Sequence, residues 1–173
     1  MSAELPIALD LSQAQKAAID EVNRWRGHCI ESFARLERGM TLTLEALPER
    51  QRGKFAYVFG DKLRRLTAIM SEAEPRTRAH NRICKSLAEA SDLLSKRNLI
   101  VHSTATVSIA ENQQWSWCYT FQPSAAGASD QTGSIAQAEG KHMEVALAKQ
   151  VQRLCGQLRS FREAMKKEEA VTE

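Results

Sequence analysis

What this chain has little of narrows its options first. Aromatic residues are only 6% of its 173 residues, and neither sign of charge dominates, the net charge being +3. Four cysteines (Cys29, Cys84, Cys118, Cys155) lie far apart with no C-x-x-C among them. That spacing argues against a disulfide framework and a zinc ribbon. Cys29 and Cys84 fall on apolar stripes, where a free thiol acts as a small hydrophobe. No stretch approaches the ~20 apolar residues of a membrane span, and residues 1–11 lack a basic segment followed by a long apolar run. Neither a membrane anchor nor a secretory signal is expected, and the reducing cytoplasm is the expected location. There is no Walker loop, no G-x-G-x-x-G and no H-E-x-x-H, and the serines lack a nucleophile-elbow setting. His28, His80, His102 and His142 never stand four apart. No metal and no cofactor are expected.

Good helix formers, by contrast, are abundant. From Ser12, read as an N-cap, a stripe runs through Ala18, Val22, Trp25, Cys29, Phe33 and Leu36 to Met40, Leu44 and Leu47. Its steps of three and four make one helix face; Gly39 could bend the helix and Pro48 ends it. A second helix is expected over residues 51–70, with Phe55, Phe59, Leu63, Leu66 and Met70 inward. Residues 72–78 read as a turn around Pro75. A third helix, from about residue 77, carries Ile83, Leu87, Ala90 and Leu94.

The pattern then changes period. Ala105, Val107 and Ile109 alternate with polar residues, residues 111–114 can turn, and Trp115, Trp117, Tyr119 and Phe121 alternate on the return. This is a β-hairpin signal. It either covers an open side of the helices or offers rings for base stacking. Residues 123–138, rich in Ser, Ala, Gly and Gln, read as a loop. A last helix, starting near 139–142, carries Leu147, Val151, Leu154, Leu158, Phe161 and Met165. Its heptad-like steps suit bundle packing or a dimer seam. The expectation is one mainly α domain over 1–173: a bundle of about four to five helices, a β-hairpin after the third main helix, and flexible ends at 1–11 and 166–173.

Charge is unevenly spread. Residues 49–85 hold ten Lys and Arg against four acids, a net +6, which leaves −3 for the rest. Such a segment suits a polyanion. Lys62 falls inside the apolar arc of its helix, where it either snorkels past the core edge or reaches a bound anion. Lys62, Arg64, Arg65 and Lys96 are the candidates for contact with RNA phosphates.

The sharpest feature is Arg97-Asn98-Leu99-Ile100-Val101-His102. Arg is a permanent cation with five donors suited to phosphate, and His moves protons near neutral pH. On the helical wheel Arg97 falls within the apolar stripe, which is costly unless it is paired or bound. An ordinary alternative is an Arg offsetting the dipole at a helix C-terminus. The run resembles the R-x4-6-H signature of the HEPN superfamily, in the form with Asn directly after Arg. The Leu/Ala stripe before it, Ser103 after it and Phe59-Gly60-Asp61-Lys62-Leu63 upstream are also similar to members of that family.

The resemblance implies a helical bundle that is either a metal-independent ribonuclease acting as a homodimer or a relative that only binds. It also implies two motifs facing each other across a two-fold axis, and a role as a toxin, a phage-defence effector or an RNA processor, with an antitoxin as a possible protein partner. Metal-free RNA cleavage needs a proton shuttle and a cation. His102 fits the first role and Arg97 the second, and Asn98, four residues before His102, could orient it. Arg97 and His102 are ~140° apart on an ideal helix. Bringing them together would then take a break in the helix or a second subunit. The alternatives to a nuclease are a non-catalytic RNA- or nucleotide-binding module and a structural dimer.

Overall fold

A computed structural model describes residues 11–48, 58–72, 78–123 and 129–172. Its elements, in order, are α1 (Leu11–Ala46), α2 (Phe59–Glu72), α3 (Arg78–His102), β1 (Thr104–Ile109), β2 (Trp115–Phe121), β3 (Gln131–Ala136) and α4 (Gln137–Thr172). The chain is mainly α, with a small antiparallel sheet between the third and fourth described helices. The apolar stripe of α1 forms the core almost residue by residue: Val22, Trp25, Cys29, Phe33, Leu36 and Met40 are all buried. The buried faces of α2, α3 and α4 follow the same three-four spacing.

α1 and α4 run parallel over their shared length. Trp25 Nε1 donates to the Gly140 carbonyl at 2.7 Å, His28 Nδ1 meets Glu144 Oε1 at 2.7 Å, and Arg162 Nη1 donates to Thr43 Oγ1 at 3.0 Å. A nearly constant offset in residue number is what a parallel pair requires. α3 runs the other way, with Glu89 beside Gln150 and Ile100 beside Arg26. Parallel α1 and α4 therefore need a crossover, and α2, α3 and the sheet supply it. Gly60 makes room for Leu94 where α2 meets α3, a Cβ there lying 3.4 Å from Leu94 Cδ2.

The sheet order is β1-β2-β3. Val107, Trp117 and Ile135 share one inward row, and Trp115 and Trp117 are 1% exposed. Both rings pack on Trp25, with centroids 5.7 and 5.5 Å apart. The sheet thus closes one end of the helices. Buried this deeply, Trp115 and Trp117 have no face left for base stacking. The β1–β2 turn is held by the Asn112 side chain, which accepts from the Gln114 N–H, and by Gln113 in the left-handed region at φ 62°.

The hairpin expected from the sequence is in fact two strands of three. β3 lies where a loop was expected, and α4 begins at Gln137, earlier than expected. β3 buries only Ile135, so it shows no alternation. Gly133 sits under the Tyr119 ring, where a Cβ would come within 2.6 Å of the hydroxyl. The strand exists because β2 offers it a free backbone edge. Three smaller differences follow. Ser12 lies inside α1 instead of capping it. α1 continues past Gly39, where the missing side chain admits α4: a Cβ would lie 3.4 Å from Cys155 Sγ. α4 continues to Thr172, over a charge run of good helix formers expected to be a flexible end. Residues 49–57, including Phe55, and residues 73–77 lie outside the described residues.

Candidate functional site

Arg97, Asn98 and His102 meet at the C-terminal end of α3. Arg97 Nη1 donates to Asn98 Oδ1 at 3.2 Å and contacts His102 Nε2 at 3.1 Å. A guanidinium has only donors. In this arrangement Nε2 is therefore the acceptor and the imidazole carries its proton on Nδ1. α3 is unbroken through His102, and both residues belong to one chain. Neither the helix break nor the second subunit foreseen from the wheel is needed for this contact. Helical side chains lean toward the N-terminus, so His102 tilts back while the long Arg97 side chain sweeps across the ~140° between them. Asn98 holds the guanidinium and, among the described residues, makes no hydrogen bond to His102.

Local chemistry ends the helix at this point. Ser103 donates both its N–H and its Oγ to the Leu99 carbonyl, at 3.2 and 2.5 Å, and Thr104 starts β1. Arg26, reaching from α1, donates through Nη2 to the Ile100 carbonyl at 2.8 Å, and its guanidinium lies 5.3 Å from the Trp117 ring centroid. The negative end of the α3 dipole is thus met by a cation from another helix. Sequence reasoning missed Arg26. The signal was available, because Arg26 falls inside the apolar arc of α1 just as Arg97 does on α3.

His102 is exposed, and Arg97 and Asn98 are half-buried. Arg97 differs from Arg35, Arg64 and Arg153, which pair with Glu31, Asp61 and Glu89. Among the described residues Arg97 has no carboxylate partner, only two neutral acceptors. A half-buried guanidinium with neutral partners keeps most of its attraction for an anion.

The four basic candidates go to different places. The Lys62 side chain is 10% exposed, and its ammonium bonds to Glu37 Oε1 at 2.9 Å. It is tied to a carboxylate of α1 instead of projecting to solvent. Arg64 is exposed and paired with Asp61 on its own helix. Arg65 is half-buried on α2. Lys96 lines a pit of about 320 Å³ between α3 and α4, with His142, Glu139 and Gln150 on its rim and Phe33 and Ile100 in its wall. Among the described residues, Lys62, Arg64 and Lys96 have no hydrogen bond to the Arg97–Asn98–His102 cluster. Of the remaining histidines, His28 bridges α1 to Glu144, His80 is buried, and His142 stands at that pit. Among the described residues no three His, Cys, Asp or Glu side chains are grouped to hold a metal ion. No described helix is long and apolar enough to cross a membrane.

Comparison with known protein families, with curated proteins and with solved structures finds no match.

Proposed function

We propose that this chain is a HEPN-like, metal-independent endoribonuclease with His102 as proton shuttle and Arg97 as phosphate-binding cation. The supporting observation is the Arg97 Nη1–His102 Nε2 contact of 3.1 Å, beside an exposed imidazole and with no carboxylate on the guanidinium. In the free protein Arg97 occupies the lone pair that a base would use. A phosphodiester offers the guanidinium charged oxygens, and such bonds are roughly twice as strong as those to neutral acceptors. Substrate thus draws Arg97 off His102 and frees Nε2. The 2′-hydroxyl then gives its proton to Nε2, the O2′–P bond forms, and Arg97 steadies the phosphorane oxygens. The P–O5′ bond breaks as His102 returns that proton to the 5′-oxygen, leaving a 2′,3′-cyclic phosphate, a 5′-hydroxyl and a neutral imidazole.

The phosphorane carries more negative charge than the ground-state phosphodiester, and a second cation would steady it further. Arg97 supplies one, and a second protomer facing the first would supply another. A homodimer acting on RNA is part of the proposal, with an antitoxin protein as its regulator. One observation favours the non-catalytic binding alternative: Nη1 of the guanidinium is already engaged by Asn98 and His102 of its own helix.

Purified protein incubated with single-stranded RNA in EDTA distinguishes the two. The nuclease produces cyclic-phosphate ends, and His102→Ala lowers the rate by about 10²–10⁴-fold, Arg97→Ala by about 10²–10³-fold. RNA that is bound but stays intact in every variant would leave only the binding module.

A further inference from the structure

On the other side of α1 lies a second basic feature. A groove of about 800 Å³ runs between α1 and α4, and Arg35, Arg38, Arg159 and Arg162 line it. Ser32, Gln152 and Cys155 add neutral polar groups, and none of its lining residues is a carboxylate. Arg35, Arg38 and Leu42 lie ~140–200° around α1 from Phe33, the residue that faces the pit between α3 and α4. The groove is therefore outside the helix layer that carries Arg97 and His102.

The groove is open and only part of its positive charge is engaged. Arg38 and Arg159 have neither hydrogen bond nor ion pair among the described residues, and only Arg35 meets a carboxylate, Glu31. Arg162 is held in place: Nη1 donates to the Gly39 carbonyl at 3.2 Å and to the hydroxyl of fully buried Thr43 at 3.0 Å. Arg35 and Arg38 are three apart, as are Arg159 and Arg162, so each pair shares a helix face. Two mid-helix glycines, Gly39 and Gly156, lie in the same lining. Each costs its helix ~1 kcal/mol relative to Ala, and at Gly156 no atom would touch an added Cβ within 4 Å. Packing thus does not require that glycine, and the space beside it is open. Burial raises the Cys155 thiol above its ordinary range, while Arg162, Arg159 and Arg35 all act to lower it, so the three cations converge electrostatically on the groove floor.

We propose that this groove binds consecutive phosphate groups, gripped by the two Arg pairs across the α1–α4 seam. Guanidinium forks suit phosphate oxygens in bidentate geometry. With no aromatic residue in the lining there is no ring for a base to stack on, and with four arginines around it recognition rests on phosphate. The phosphates could belong to a nucleic-acid strand or to a free oligophosphate.

Two probes separate these sources: inorganic tripolyphosphate and a short single-stranded 2′-O-methyl RNA, which cannot undergo 2′-hydroxyl attack. Binding of the intact protein is measured by calorimetry over a salt series. Saturable binding that weakens with salt is expected, with a loss of at least about tenfold in Arg38→Glu/Arg159→Glu. The milder Arg38→Gln/Arg159→Gln pair should fall between. Both double variants alter exposed, partnerless side chains, so circular dichroism should match the parent. Binding of the oligonucleotide alone assigns the groove to a strand, and of tripolyphosphate alone to a free ligand. The proposal is overturned if neither probe binds at low salt, if the double variants bind as the parent does, or if poly-glutamate binds more tightly than both probes, which would indicate an acidic protein partner. RNA cleavage is scored separately, so a failure here leaves the Arg97–His102 reading standing, and the reverse holds.

Discussion

Two glycines on α4 should respond to the same substitution with opposite signs. Ala in place of Gly in a helix stabilises by ~0.5–1 kcal/mol through backbone entropy alone. At Gly156 nothing lies within 4 Å of the new Cβ, so Gly156→Ala should realise that gain. At Gly140 the Cβ would sit 2.7 Å from Trp115 Cη2 and 3.3 Å from Trp25 Cε2. Neither ring can yield easily, because Trp115 is 1% and Trp25 is 3% exposed and the two pack on each other. Forcing a methyl into such a core costs ~1–3 kcal/mol. Any shift of α4 also stretches the 2.7 Å bond from Trp25 Nε1 to the Gly140 carbonyl, which contributes ~0.5–1.5 kcal/mol. The helix gain is smaller than the combined loss. Gly140→Ala should therefore destabilise by ~1–3 kcal/mol, and the two variants should differ by ~2–4 kcal/mol. Urea unfolding followed by circular dichroism and by Trp fluorescence measures both, and for a chain of this length each kcal/mol moves Tm by ~2–4 °C. If Gly140→Ala is as stable as Gly156→Ala, the parallel docking of α4 onto the Trp cluster is wrong.

The Cys29 thiol is fully buried and pushed up to about 12 by that burial, with Glu144 adding to the effect. Iodoacetamide at pH 8 should leave Cys29 unmodified in the folded protein and label it in urea, as mass spectrometry can read, and rapid native labelling would contradict its place in the core. Lys141 and Gln137 hold the Glu21 carboxyl below its ordinary value by hydrogen bonding, against some desolvation. A carboxyl with a lowered folded pKa contributes stability above its unfolded pKa and loses that contribution as pH falls through the folded one. Glu21→Gln should thus lower stability by about a few tenths of a kcal/mol at pH 7, Glu21 being over a third exposed, and the difference should shrink as pH falls through the folded-state titration, below the ordinary carboxylate range. A gap that widened toward acid would contradict the sign. Lys62→Met should cost under ~1.5 kcal/mol, because an apolar chain of similar length fills the site and Glu37, 31% exposed, can hydrate. Glu37→Leu leaves a buried ammonium unpaired and should cost more. The reverse ranking in thermal melts would mean the pair is not buried as described.

The helices were legible because each carries its own instruction. Val22 to Met40 on α1 and Leu147 to Leu158 on α4 repeat at helical spacing, and every apolar position on those arcs had to face something. The Arg97–His102 pair was also legible as a motif, and Arg97 stood out by its place on an apolar arc. What the pattern of one segment cannot encode is what another segment brings to it. The parallel pairing of α1 with α4, Arg26 on the Ile100 carbonyl, Glu37 as the partner of Lys62, and the convergence of two Arg pairs on one groove all join residues far apart in sequence. β3 is the sharpest case, since its sequence lacks a strand signal and its place depends on the free edge of β2. Local periodicity, set by backbone geometry, determined which elements form. Long-range packing, set by which buried faces fit together, decided which charges meet.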